Sequence, residues 1–155
     1  MRKIKKLVAT LLAATMAMGV TAFAADSLAD GKYTAKQNLY KNSACTTTSM
    51  GDAALNDMRA EITIADDEAT LVVHTHEITY LGLTGHLGKM VVNGKTVTPK
   101  QTTTNGVTDY YFTFTGLDAS TIYEGCVITG KFTTYVGSMP MNATGYLKLT
   151  DITAK

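Results

Sequence analysis

The chain has 155 residues, with 14 Lys and Arg against 13 Asp and Glu, 8% aromatic residues, no Trp and two cysteines. That length accommodates one domain with a real core. Its near balance of charge offers no basic patch to attract nucleic acid or an anionic membrane.

The first element in chain order is a leader. MRKIKK is followed by the apolar LVATLLAATMAMGV and then by Ala22-Phe23-Ala24. A basic start, an apolar stretch too short for a good membrane anchor and small residues at −3 and −1 read as a secretory signal peptide. Residues 1–24 are expected to be cut away before Ala25, leaving 25–155 as one exported domain without a membrane span. Loss of Arg2, Lys3, Lys5 and Lys6 leaves 10 basic residues against 13 acidic ones. The C-terminal LTDITAK carries no apolar tail and no sorting motif. The expectation is therefore release, or retention at the surface only through a partner.

From Gly31 onward the pattern is strands and turns. GKYTAKQNLYK puts Tyr33, Ala35, Gln37 and Leu39 on one face. AEITIAD and the polar turn Asp66-Asp67-Glu68 lead into ATLVVHTHEITYLGL, read as a strand, a bend and a second strand. KMVVNGKTVTP holds Asn93-Gly94 between β-branched residues, the strongest hairpin signal in the chain. VTDYYFTFTGL alternates, with Tyr110, Phe112 and Phe114 facing one way. CVITGKFTTYV and TGYLKLTDI are the last two strands, with VGSMPMN as the tip between them. Turn signals about every ten residues favour an antiparallel sandwich of about seven or eight strands.

One segment departs from this. In TSMGDAALNDM, Ser49 is placed to cap a helical turn, with Asp52 three residues on. A short helix of one or two turns, of 3₁₀ character, is expected there over one end of the sandwich, as the only helix beyond the leader.

The residues that carry chemistry are few. No G-x-S-x-G, P-loop or H-E-x-x-H is present, and nothing in the spacing pairs Cys45 or Cys126 with a histidine, so no enzyme is expected. The two cysteines could form a bridge in an exported protein or stay free. His74 and His76, two apart in a strand, share one side. Two imidazoles fall short of the three or four ligands of a metal site, although joined by methionines they would suit copper. Met139 and Met141 flank Pro140, which places this backbone at an edge or a tip. Thioethers there are either packing or the wall for something apolar.

DGKYTAKQNLYK followed by SMGDAAL, a β-rich middle and a final hairpin resembles the NEAT (near-iron transporter) family of Gram-positive surface and secreted proteins, from about Leu28 to Ile152. The resemblance implies an immunoglobulin-like β-sandwich with a short helical lip that binds haem between lip and last hairpin. Here the lip would be Ser49 to Leu55 and the hairpin Thr133 to Leu149. A lip beside the hairpin tip would put Cys45 near the tip and Cys126 a strand length of roughly 30 Å away, so an unpaired state of the two cysteines is what the resemblance implies. The implied contacts are Ser49, Met50, Leu55, Met139 and Met141, with Lys41 or Lys131 near the propionates. Haem or iron acquisition or scavenging is the implied function, with other haem-relay or surface proteins as partners. The family holds its iron with Tyr-x-x-x-Tyr in the last strand, whereas Met141 and Gly145 occupy those places here. Met141 is then the implied metal ligand, and a thioether tends to raise the iron potential. Two alternatives stay open: a secreted sandwich that recognises protein or glycan, and a copper protein using His and Met.

Overall fold

The computed structural model describes residues 26–155, so the leader lies outside the described residues. The described residues form ten antiparallel strands and two short 3₁₀ turns. The strands are β1 (Gly31–Tyr40), β2 (Arg59–Ala65), β3 (Glu68–His76), β4 (Ile78–Tyr80), β5 (Leu83–Val92), β6 (Lys95–Val97), β7 (Lys100–Thr104), β8 (Val107–Asp118), β9 (Val127–Val136) and β10 (Met139–Ala154). Hydrogen bonding runs in the order β4-β5-β9-β10-β1-β2-β3-β8-β7, with β6 beside β5. This path folds over on itself, bringing β5 towards β3 and β6 towards β8. The all-β sandwich expected from the turn spacing is the architecture observed.

Strand alternation builds the core. Ala35, Gln37 and Leu39 of β1, Leu71, Val73 and Thr75 of β3, and Tyr110, Phe112 and Phe114 of β8 all turn inward and are buried. Leu87 and Met90 of β5, Phe132 of β9, and Leu147 and Leu149 of β10 complete one continuous cluster. The faces away from it are polar: Lys36 and Arg59 pair with Asp151, and Lys155 and His74 with Glu61. The Lys155 ammonium, with His74 beside it, holds the Glu61 carboxyl below the usual carboxylate range.

Three expectations need correction. The strands number ten because ATLVVHTHEITYLGL bends at Glu77 from β3 into β4, and because β6 and β7 are short additions at the edges. A second 3₁₀ turn, Ala119–Thr121, is capped by Asp118 accepting from the Ser120 N–H at 2.9 Å. The Met-Pro-Met run is not the turn itself. The reversal is made at Gly137-Ser138, with Val136 opposite Met139, so the methionines begin β10.

Register explains why proline is tolerated there. β1 accompanies β10 only from Ala154 back to Tyr146, opposite Tyr40. The first residues of β10 therefore pair with β9 alone, and Pro140 lies in a stretch with one free edge.

Two-residue hairpins account for most of the turns. Leu81-Gly82, Asn93-Gly94 and Asn105-Gly106 each join paired strands with both φ angles positive, at 49° and 77°, 51° and 74°, and 53° and 79°. These are the angles of a type I′ turn, for which Asn-Gly is the favoured pair. The hairpin expected at Asn93-Gly94 is present.

Candidate functional site at the lip and last hairpin

The lip forms where Ser49 stops the chain in an extended conformation and its hydroxyl accepts from the Gly51 N–H at 3.3 Å. A single 3₁₀ segment, Met50–Ala54, follows. Asp52 does not complete a capping box. Its carboxylate turns inward and accepts from the Leu39 N–H at 2.7 Å and from Asn38 Nδ2 at 3.2 Å. Gln37 Nε2 donates to the Leu55 carbonyl at 3.1 Å. The lip is thus tied to β1 by polar contacts at its middle and at its end.

Gly51 brings the lip down onto the sheet. A Cβ there would meet Leu39 at 3.2 Å, Leu87 at 3.3 Å and the Thr134 hydroxyl at 3.6 Å. Thr134 is the cross-strand partner of Met141, so the lip rests beside the hairpin residue that resemblance singled out. Cross-strand partners share a face, and alternation carries that face from the buried Leu149 and Leu147 through Gly145 to Met141 and Met139. The inward face of β10 therefore continues past the core and emerges as two thioethers, Met141 at 43% and Met139 at 66% exposure. Met50 on the lip is exposed at 37%.

The sequence-derived residues divide accordingly. Met50, Met139 and Met141 are brought to one end of the molecule. Ser49 is half-buried there, its hydroxyl engaged in the cap. Leu55 is a correction: it is fully buried in the core at the end of the lip and offers no wall to a ligand. Lys131 is a second one. It alternates with Thr134 along β9 and so lies on the opposite face of the hairpin from Met141. The place of the family's second tyrosine admits no side chain, because a Cβ on Gly145 would meet Phe132 at 2.6 Å and Leu39 at 3.0 Å. Tyr146 faces the other way, as alternation requires.

The histidines stay apart from the methionines. His74 and His76 alternate with the buried Val73 and Thr75, so they lie on the outward face of β3. His74 Nε2 lies 3.5 Å from Glu61. His76 makes its ring contacts with two acceptors, the Glu77 carbonyl at Nδ1 (2.6 Å) and Asp57 at Nε2 (2.8 Å). Both nitrogens must donate to satisfy them, which requires the imidazolium. Burial opposes that charge, but the Glu77 carbonyl and the Asp57 carboxylate outweigh it and raise the His76 pKa above its ordinary value. Among the described residues no group of three or more His, Cys, Asp or Glu could hold a metal ion. Cys45 and Cys126 are both free, Cys45 in the loop after β1 and Cys126 buried, where desolvation pushes its thiol pKa up. No helix of the described residues is long and apolar enough to cross a membrane.

Two features escaped the sequence. Tyr110, His86 and Tyr135 form a stack, with His86 centroids 4.8 Å and 5.3 Å from the two tyrosine rings, and Tyr110 donates to Glu77 at 3.2 Å. Only the fold brings β8 against β5, so no local signal could reveal the stack. The second is the β4–β5 turn, where Tyr80, Leu81 and Leu83 are exposed beside the methionine hairpin. Its signal was in the sequence: an apolar residue in a slot where Asn is usual.

Neither a scan against protein-family models nor a search of curated proteins finds a match to this chain.

Proposed function

We propose that the protein is an exported haem-binding protein, without catalysis, that holds its ligand between the lip and the last hairpin. The observation that carries this reading is the emergence of the inward face of β10 as the exposed Met141 and Met139 beside Gly51 of the lip. A flat apolar ring suits such a face, and the available donor suits haem iron. Met141 is a neutral, soft thioether on the accessible side of the strand, and neither Tyr nor His shares its face of β10. When bound, the iron would supply one-electron chemistry. The chain's own part would be to bind the ring, cover it with the lip and offer the Met141 thioether as the residue that holds the iron. The Ser49 hydroxyl, once released from its cap, would be a polar group of the lip for a propionate.

The copper alternative is weaker, because His74 and His76 are committed to carboxylates on an outward face that Met139 and Met141 do not share. A module for protein or glycan stays open as the second reading, supported by the exposure of the same face.

Hemin titration tests the proposal. A Soret shift with saturable binding is expected, and Met141→Ala should both weaken binding and remove low-spin ferrous bands, with the fold retained. Loss of packing alone costs at most about 1.5–3 kcal/mol for a fully buried methionine and leaves the spectrum in place. His76→Ala should bind hemin as the parent does. No Soret change on titration would refute the haem reading. An unchanged spectrum in Met141→Ala, with a requirement for Tyr80, Tyr135 or Tyr146, would transfer the ligand role to a phenolate.

A further inference from the structure

Leu81 stands out against its two counterparts. Asn93 and Asn105 occupy the same turn position with the same φ, within a few degrees. Asn tolerates this left-handed conformation, whereas a bulky apolar residue there is a true outlier. Leu81 accepts that cost and is 86% exposed. The described residues cover little of its side chain, which points to a use outside them.

The surroundings say what kind of surface this is. Tyr80 and Leu83, the cross-strand pair behind the turn, are also exposed. The Gly137 N–H donates to the Thr84 carbonyl at 2.8 Å, which fastens this turn to the tip of the last hairpin. The two hairpin ends therefore project together, carrying Leu81 at one apex and Met139 just behind the other. No Asp, Glu, Lys or Arg lies between Glu77 and Lys89, or between Lys131 and Lys148. These are the two longest charge-free stretches beyond the leader, and the fold sets them side by side.

We propose that these paired hairpin tips dock into the surface of a neutral lipid bilayer. The polar groups within the stretches, Thr79, Thr84, Ser138 and Asn142 among them, are uncharged, so the tips offer no ion pair to a charged protein surface. A convex pair of turns fits a deformable phase better than a flat protein face. Leucine at the apex with tyrosine one residue behind follows the depth order of an interface, apolar groups inward and phenol at headgroup level. The absence of Lys and Arg excludes attraction to anionic headgroups as the driving force. The inference goes beyond the haem reading and does not rest on it: the second tip carries Met139, which the haem reading also uses, but Leu81 and Leu83, which carry this proposal, are outside the proposed haem contacts.

The test uses the exported chain from Ala25 and phosphatidylcholine vesicles. Flotation should show binding that persists in high salt. Leu81→Asn restores the favoured turn pair, so the fold is kept, while vesicle affinity should fall about tenfold, the equivalent of about 1.4 kcal/mol of lost apolar burial. Hemin titration of that variant should match the parent, which separates this proposal from the haem reading. Because the chain has no Trp, Leu83→Trp gives a single reporter whose emission should shift to the blue on adding vesicles. Failure to float would overturn the proposal. So would binding only to anionic vesicles with release by salt, or binding that Leu81→Asn leaves unchanged. A concentration-dependent dimer that Leu81→Asn dissolves, without vesicle binding, would replace the bilayer by a second copy of the chain.

Discussion

At one end of the sandwich the chain turns at Asp66-Asp67 and Asn93-Gly94, and carboxylates hold the backbone. Glu124 accepts from the Asp151 and Ile152 N–H groups at 2.8 Å each, and Asp118 caps the short helical turn. At the other end, which also carries Asn105-Gly106, the same two-residue geometry is built with Leu81-Gly82, and a charge-free hairpin carries exposed methionines. The backbone problem is alike at both ends, so backbone needs do not explain the different residues. Asn93-Gly94 at one end and Asn105-Gly106 at the other solve the problem with the cheapest chemistry. The apolar end accepts a strained Leu and leaves thioethers in water, which is the mark of a surface kept for contact rather than for folding.

The comparison is sharpened most by separating what lies beneath the apolar end from what lies on it. Leu87 is fully buried under Gly51 of the lip. Leu87→Ala should cost about 2–5 kcal/mol in chemical denaturation, whereas Met139→Ala should stay within about 0.5 kcal/mol. A large loss of stability in Met139→Ala would mean that the exposed methionines are structural. Next comes the lip itself. Asp52 is buried and accepts from Leu39 N–H and Asn38, so Asp52→Ala strands those donors and should cost about 1–3 kcal/mol.

Exchanging turn residues between the ends gives a smaller effect with opposite signs. Leu81→Asn should stabilise, and Asn93→Leu destabilise, by about 1 kcal/mol each, read as thermal midpoints moving in opposite directions. Equal, same-sign shifts would show that Leu81 is not strained and would dissolve the contrast. The smallest effect concerns pH. His76, doubly bonded between Glu77 and Asp57, has a raised pKa in the folded state. Its contribution is complete below the ordinary value of 6.5 and disappears as pH rises through the folded pKa. Stability measured across that range should therefore fall with rising pH by a small part that His76→Gln abolishes. An unchanged slope in the variant would show that the clamp is not formed in solution.

Much of the fold was legible. The period of two in Tyr110, Phe112 and Phe114 marks an inward face because one-sided burial demands it, and Asn93-Gly94 marks a hairpin because Asn and Gly accept positive φ. Ser49 was legible as a cap for the same kind of local reason. The residues proposed for the site divide. Met50, Met139 and Met141 lie exposed at one end, but Leu55 reads identically in the sequence and is core. Burial depends on what packs above a residue, and the residue's own type does not report that. Lys131 went to the wrong face because hairpin register depends on where the turn lies, and the reversal is at Gly137-Ser138.

What the sequence determined by itself is therefore what short range controls: alternation, turn type, the start of the lip. Partnership across the sheet was left to the tertiary structure. Pro140 sits within a strand because β1 ends at Tyr40 and leaves that edge free. Asp52 turns inward because the Leu39 N–H is there to receive it. Leu81 and Met139 form one surface because β5 lies beside β9. Each outcome depends on a residue far away in the chain, and free energies of contact between distant strands are not written in either strand alone.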